Sequence, residues 1–178
     1  MTTEIKDKDN SDKKAEKKLI VVLLIIYILS MVWIILFKMS IFSEVFGMER
    51  IRSINLIPFH YDEETPYHLS EVMMNVLIFA PLGIYLKILD IKNIKIIITG
   101  IVISLLFEIL QSVFAIGASD ITDVITNSAG TIMGVISYGI LRWISKDKVR
   151  PDRILILASL ICTVMMLILF TVLIISNI

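Results

Sequence analysis

The sequence predicts an all-α fold: a polytopic membrane bundle of about five transmembrane helices, with the N-terminus inside and the C-terminus outside. Three observations support this prediction: the composition, the five apolar runs and the uneven distribution of basic residues. Of 178 residues, 57% are hydrophobic and only 19% are charged, and the mean hydropathy is +0.87. This profile is typical of integral membrane proteins and not of soluble domains. Nothing in it favours nucleic-acid binding.

The apolar runs are close to the length that a membrane span requires, which is about 20 helical residues for a hydrocarbon core of about 30 Å. They are Leu19–Phe37, Val72–Leu89, Ile94–Ile116, Ile121–Ile144 and Ile154–Ile175. The second run is the shortest and is interrupted by Pro81 and Gly83, so it is the weakest candidate for a full crossing. The first is interpreted as a retained anchor, because no A-x-A-like cleavage site follows it.

The basic residues indicate the orientation. With the N-terminus inside, 14 of the 17 Lys and Arg residues lie on the cytoplasmic side, and only Lys38, Arg50 and Arg52 lie outside. This is the distribution that the positive-inside rule describes. The expected organisation is a cytoplasmic charged tail (1–18), a first transmembrane helix (19–37), a core made of an outer loop and helices two to four (38–144), and a cytoplasmic loop with a fifth helix (145–178).

The strongest functional signal is a group of polar residues inside the hairpin formed by the third and fourth spans: Glu108, Gln111, Asp120, Asp123 and Asn127. An ionisable group at the centre of a membrane helix costs about 2.5–3.5 kcal/mol on insertion scales. The short link around 117–119 requires an antiparallel hairpin, and a tight turn there would place Glu108 opposite Asn127. Glu71 and Asn75 add a carboxylate and an amide at the outer end of the second helix.

Two interpretations of this group stay open. The polar residues form either a solvent-accessible pocket in the outer half of the membrane or a set of interhelical contacts that only hold the bundle together. Interhelical polar contacts contribute about 0.6 kcal/mol on average. This gain is small compared with the cost of inserting several acids into the membrane, so the pocket is favoured. Asp120 also fits the N-cap of the fourth helix.

The residue types suggest roles within such a pocket. The candidate acid/base groups are Glu108, Asp123 and Glu71. The candidate ligand-binding residues are Arg50, Arg52, Asn55, Asn75, Gln111, Asp120 and Asn127, of which the arginines offer a bidentate fork to phosphate or carboxylate. A single divalent cation at the carboxylates is a further option, because oxygen ligands suit Mg²⁺ or Ca²⁺. No clear nucleophile is visible, so the sequence leaves open whether the protein is an enzyme.

Four pieces of sequence carry a family resemblance. They are Arg52 with NLIPF (Asn55–Phe59), NVLIFAPLG (Asn75–Gly83), EILQ (Glu108–Gln111) and DITDVITNSAGTIMG (Asp120–Gly134). In this order they resemble the VanZ-like family of bacterial polytopic membrane proteins, over roughly residues 50–140. The resemblance implies a multi-pass protein of the bacterial cell membrane, and some family members are linked to low-level resistance to teicoplanin-type glycopeptides. It supplies no reaction. Many members carry an arginine in the turn before the aspartates, where this chain has Gly117-Ala118-Ser119.

Three functions are therefore considered. The first is a cell-envelope factor that binds a lipid-linked or peptidoglycan-related headgroup at the outer leaflet, with membrane lipids as its surroundings. The second is a small proton- or cation-coupled transporter that uses the acids as a relay. The third is a structural subunit of a larger membrane complex, whose protein partner the sequence does not identify.

Overall fold

The structure is a computed structural model, and it describes residues 2–37, 54–59, 68–115 and 119–145, with four single positions of the last segment, 160, 164, 168 and 171. Most of the described chain is helical. The helices are α1 (Thr2–Phe37), α2 (His68–Ile88), α3 (Asn93–Phe114) and α4 (Ile121–Ser145), and the two short strands are β1 (Ile54–Asn55) and β2 (Ser119–Asp120).

Four helices in the described ranges are long and apolar enough to cross a membrane. The spans are Lys14–Leu36, Leu69–Ile88, Asn93–Phe114 and Ile121–Ile144, so the first four predicted spans are confirmed as helices with ends shifted by a few residues. The predicted fifth span, Ile154–Ile175, falls almost wholly outside the described residues, and the same holds for the loop before it.

The second span is a full helix despite its proline. Pro81 has no N–H group to donate to the carbonyl of Leu77 one turn earlier, and α2 nevertheless continues to Ile88. The hydroxyl of Tyr27, on α1, donates a hydrogen bond to the neighbouring carbonyl of Ile78. Because a bilayer offers no water to a loosened turn, this contact from α1 supports α2 where the proline weakens it.

Among the described helices, α2 and α4 pack against each other most extensively. A methyl group added to Gly134 would overlap the carbonyl oxygen of Ala80, and one added to Gly83 would overlap the carbonyl oxygen of Thr131. A methyl group added to Gly130 would likewise overlap the carbonyl oxygen of Val76. The two backbones are therefore in contact through a small-xxx-small pattern. Between membrane helices there is no hydrophobic driving force, and such close packing supplies van der Waals attraction instead.

The apolar core lies between α1, α2 and α3. Its fully buried members include Met31, Phe79, Leu82, Tyr85 and Ile96. Large apolar side chains on the outward faces, such as Leu29, Leu77, Ile109 and Ile136, are more than half exposed. An exposed apolar surface of this extent is expected of helices that contact lipid.

A short parallel pairing closes one end of the bundle. Ile54 pairs with Ser119 and Asn55 with Asp120, so β1 from the loop before α2 lies beside β2 in the link between α3 and α4. Extended backbone at membrane depth is tolerated only when protein or water satisfies it. We call this end of the bundle, with β1, β2 and the first turns of α2 and α4, the polar end.

Candidate functional site

Ser119 and Asp120, directly before α4, lie beside α3 and not beyond its end. Helix α3 ends at Phe114, and Ala115 follows in the left-handed conformation, with φ 52°. The hydroxyl of Ser119 then donates to the carbonyl oxygen of Glu108 at 2.8 Å. Glu108 precedes the end of α3 by six residues, about 9 Å at 1.5 Å per residue. Helix α4 therefore starts well below the end of α3.

The position of β2 beside α3 changes the register of the hairpin. The tight turn expected from the sequence would place Asn127 opposite Glu108, but the Asn127 amide nitrogen donates to the hydroxyl of Ser104 at 2.9 Å. That prediction was wrong by one helical turn. The physical reason is the position of β2: because Ser119 and Asp120 lie beside Glu108 and not beyond the end of α3, α4 begins about one turn deeper than a tight turn would place it.

Asp120 is the centre of the polar end. Its backbone N–H donates to Oε2 of Glu108 at 2.8 Å. Its own Oδ1 accepts the N–H of Thr122 at 2.7 Å, which confirms the N-cap interpretation. Its Oδ2 accepts from the amide of Asn55 at 3.1 Å. One carboxylate thus joins β1 to the start of α4, while the adjoining backbone group joins both to α3.

The loop that follows β1 is closed by a hydrogen bond of its own and is fastened to α4 at its far end. Oδ1 of Asn55 accepts the N–H of Ile57 at 3.1 Å, and the N–H of Phe59 donates to the hydroxyl of Thr122 at 3.0 Å. The apolar side chains of Ile54, Leu56, Ile57 and Phe59 point outward and are exposed. The loop therefore presents an apolar outer surface while its polar atoms hold it to the bundle.

A second polar contact lies between α2 and α4. The amide nitrogen of Asn75 donates to Oδ1 of Asp123 at 2.8 Å and to the hydroxyl of Thr126 at 3.2 Å. Both Asn75 and Asp123 are half-buried. Glu71 lies one turn before Asn75 on α2 and is exposed, so the structure puts it at the rim of the polar end.

Two buried amides complete the arrangement. The amide nitrogen of Gln111 donates to the carbonyl oxygen of Ile35 at 3.1 Å, which ties α3 to the last turn of α1. Oε1 of Gln111 and Oδ1 of Asn127 are buried and accept no hydrogen bond from the described residues. A buried acceptor without a donor costs about 1–3 kcal/mol, so both residues give up stability at this end of the bundle.

The structure thus brings together six of the predicted site residues from β1, β2, α2, α3 and α4: Asn55, Asn75, Glu108, Asp120, Asp123 and, one turn deeper, Asn127. Gln111 contacts α1 instead, and Arg50 and Arg52 lie outside the described residues. In the described ranges, no group of three or more His, Cys, Asp or Glu side chains is arranged to hold a metal ion. The interactions that these residues form are hydrogen bonds to carboxylate and amide groups.

Sequence reasoning missed two threonines. Thr122 and Thr126 are buried, and their hydroxyls contact the Phe59 backbone and the Asn75 side chain. Their spacing of four residues places them on one face of α4 with Asn127 nearby. That spacing was the available signal, but threonine is common in apolar helices and is not conspicuous beside aspartates.

Comparison with known proteins identifies the family of this chain. The family model described as VanZ/LLP1 matches residues 24–142, which include all four described spans except the start of α1 and the end of α4. Protein VanZ of Enterococcus faecium is 37% identical over 150 residues, which cover 82% of this chain and 89% of that protein. No solved structure shows significant similarity to the chain. With its apolar helices and this match over most of its length, the chain is a multi-pass membrane protein that belongs to the VanZ/LLP1 family.

Proposed function

We propose that this protein is a VanZ-like factor of the bacterial cell envelope that contributes to resistance against teicoplanin-type glycopeptides. In this proposal it resides in the cell membrane and binds a lipid-linked or peptidoglycan-related headgroup at the outer leaflet. The observation that carries the proposal is the convergence of carboxylates and amides from β1, β2, α2, α3 and α4 at one end of the bundle. Polar side chains at membrane depth are costly, and they most often mark a site of function.

The chemistry of the polar end suits a headgroup rich in hydroxyl and amide donors. Glu108, Asp120 and Asp123 supply carboxylate oxygens, and Asp123 is only half-buried. The exposed apolar loop after β1 lies beside these groups and would contact the hydrocarbon part of the same ligand. Arg50 and Arg52, which precede β1 in sequence, are proposed to bind anionic oxygens of the headgroup.

We favour binding over turnover as the primary act. Glu108 and Asp120 each use a carboxylate oxygen to accept a backbone N–H group at 2.8 Å and 2.7 Å. A carboxylate engaged in this way is well placed to orient a ligand and less available to exchange protons. If a reaction takes place, Asp123 and Glu71, which lie nearer the rim, are the better acid/base candidates.

The packing below the site argues against transport. Beneath Asn127, α2 and α4 are in backbone contact through Gly83 and Gly134, and Thr131 is fully buried. A proton or cation path would need polar groups across the whole membrane. The close backbone contact between α2 and α4 leaves no room for such a path between these helices. The polar groups are therefore better described as a site that opens at one end of the bundle.

The orientation is also proposed: N-terminus inside, five spans and C-terminus outside, which puts the polar end on the outer face. The test uses a Cys162→Ser background with a single cysteine at Ser70 or at Lys92, both of which are exposed. We expect a membrane-impermeant maleimide to label Ser70→Cys in intact cells and Lys92→Cys only after lysis. Labelling of Lys92→Cys in intact cells would overturn this orientation.

The function is tested by removing charge without removing hydrogen bonds. In Asp123→Asn the side-chain oxygen can still accept from Asn75, and in Glu108→Gln it can still accept the N–H of Asp120. We expect both variants to insert and fold, yet to lose the protection against teicoplanin that the parent protein gives a susceptible host. The measurement is the inhibitory concentration of teicoplanin at matched membrane levels of protein.

The matched control is Asp90→Asn, an acid-to-amide change at an exposed residue of the opposite end. It should leave protection at the parent level. The proposal fails if the parent protects and both acid variants protect equally well, because the carboxylates are then structural. A parent that binds one stoichiometric protein partner and gives no protection would instead favour the structural-subunit hypothesis.

A further inference from the structure

The end of the bundle opposite the polar end carries a dense basic surface. The described basic side chains here come from the start of α1, the α2–α3 turn and the end of α4: Lys14, Lys17, Lys18, Lys87, Lys92, Lys95 and Arg142. Lys17 lies 4.0 Å from Asp90, which places the start of α1 beside the turn. We call this surface the basic end. Its described acids are only Glu16 and Asp90.

The basic side chains are unevenly compensated. Asp90 is near Lys17, and Lys87 is held by the side chain of Asn93 at 2.9 Å and lies 5.9 Å from the ring centre of Tyr138. Lys92, Lys95 and Arg142 are exposed and form no ion pair with another described residue. Three positively charged side chains are therefore exposed and have no carboxylate partner in the described ranges.

The start of α3 makes the positive potential stronger. The first turn of α3 contains no acidic residue, and Lys92, at the N-cap position, makes no capping hydrogen bond with its side chain. Lysines are unfavourable beside the positive end of a helix dipole, where acids are normally found. The lysines at the start of α3 therefore lower the stability of the isolated chain, and an anion bound at this surface would offset that loss.

Apolar side chains adjoin the charged ones. Ile94 and Ile98 on α3 are exposed by 62% and 52%, and on the last turns of α4 Trp143 is exposed by 79%. Tryptophan at such a position is typical of the headgroup level of a bilayer. A soluble anion would use only the lysines and the arginine, whereas a lipid would use both sets of side chains.

We infer that the basic end binds the phosphate headgroup of an anionic phospholipid, through Lys92, Lys95 and Arg142, with the acyl chains against Ile94 and Ile98. This inference does not depend on the function proposed for the polar end. It also goes beyond the orienting effect of positive charge during membrane insertion, because it requires selective binding by the folded protein.

The experiment uses the purified full-length protein in a mild detergent, so that insertion plays no part. Phosphatidylglycerol, phosphatidylcholine with the same acyl chains, and inorganic phosphate are added separately. Native mass spectrometry measures lipid retention, and a thermal unfolding curve measures stabilisation. We expect phosphatidylglycerol to be retained and to raise the unfolding midpoint well above the value with phosphatidylcholine, and phosphate alone to do little.

The variant is Lys92→Gln/Lys95→Gln/Arg142→Gln, and the control is Lys6→Gln/Lys8→Gln/Lys13→Gln, which removes the same number of charges from the first turns of α1. Since each basic residue near an anionic lipid surface strengthens binding by roughly fivefold, the first variant should lose affinity for phosphatidylglycerol on the order of a hundredfold. The control should retain most of it. Equal retention of the two lipids by the parent, equal losses in both variants, or full stabilisation by inorganic phosphate would each overturn the inference.

Discussion

Replacement of Gly134 by alanine is expected to separate α2 from α4 and to destabilise the folded protein strongly. The added methyl group would overlap the carbonyl oxygen of Ala80 and crowd the Cα of Gly83. Both neighbours are backbone atoms, so no side-chain rotation can relieve the overlap, and one helix must move away. Overpacking of this kind typically costs about 1–3 kcal/mol and sometimes more. Unfolding by titration with a denaturing detergent, starting from mild micelles, measures the loss.

Gly139→Ala is the matched control, because it makes the same chemical change on the same helix. A methyl group added to Gly139 meets nothing within 4 Å. Since alanine is favoured over glycine in a helix interior by about 1 kcal/mol, this variant should be as stable as the parent or slightly more so. Equal stability of the two alanine variants would show that α2 and α4 are not in backbone contact at Gly134.

Asp120→Asn is expected to be the most damaging conservative change at the polar end. The asparagine oxygen can still accept the N–H of Thr122, so the N-cap survives. Its amide nitrogen, however, takes the place of Oδ2 and faces the amide nitrogen of Asn55, where two donors meet. A half-buried donor without an acceptor costs about 1–3 kcal/mol. The same unfolding titration should show that loss.

Exchanging Asn55 and Asp120 should restore the stability that Asp120→Asn alone removes. In Asn55→Asp/Asp120→Asn, the new aspartate can accept both the N–H of Ile57 and the amide of residue 120, while residue 120 still caps α4. These three hydrogen bonds of the parent are then all available, and only the one between residues 55 and 120 has its donor and acceptor reversed. Failure of the double variant to recover stability would mean that the contact of 3.1 Å between Asn55 and Asp120 does not hold β1 to β2.

The helices were predictable because their signal is long and redundant. Some twenty apolar residues in a row identify a span whatever its neighbours do, and even Pro81 did not prevent α2 from continuing. The N-cap role of Asp120 was also visible, since an aspartate just before an apolar helix is a local signal that needs no tertiary information.

The register of the α3–α4 hairpin was not predictable in the same way. It depends on where β2 lies along α3, and the contacts of Ser119 and Asp120 with Glu108 fix that position. Those contacts become visible only when the helices are placed in space. The pairing of Asn55 with Asp120 was hidden for a related reason, because two residues of extended chain have no periodicity to recognise.

The pairing of β1 with β2 also dictates an order of events during synthesis. Asn55 and Asp120 are 65 positions apart, so at roughly 5–20 residues per second the ribosome needs about 3 to 13 s to deliver the second partner after the first. Until then the backbone of β1 has no strand to pair with, and hydrocarbon would leave its polar groups unsatisfied. The segment is therefore expected to stay in water while α2 and α3 enter the bilayer. It can pair only once β2 has been made, and Phe59 can contact Thr122 only once α4 follows, so the polar end is expected to be the last part of the described core to be completed.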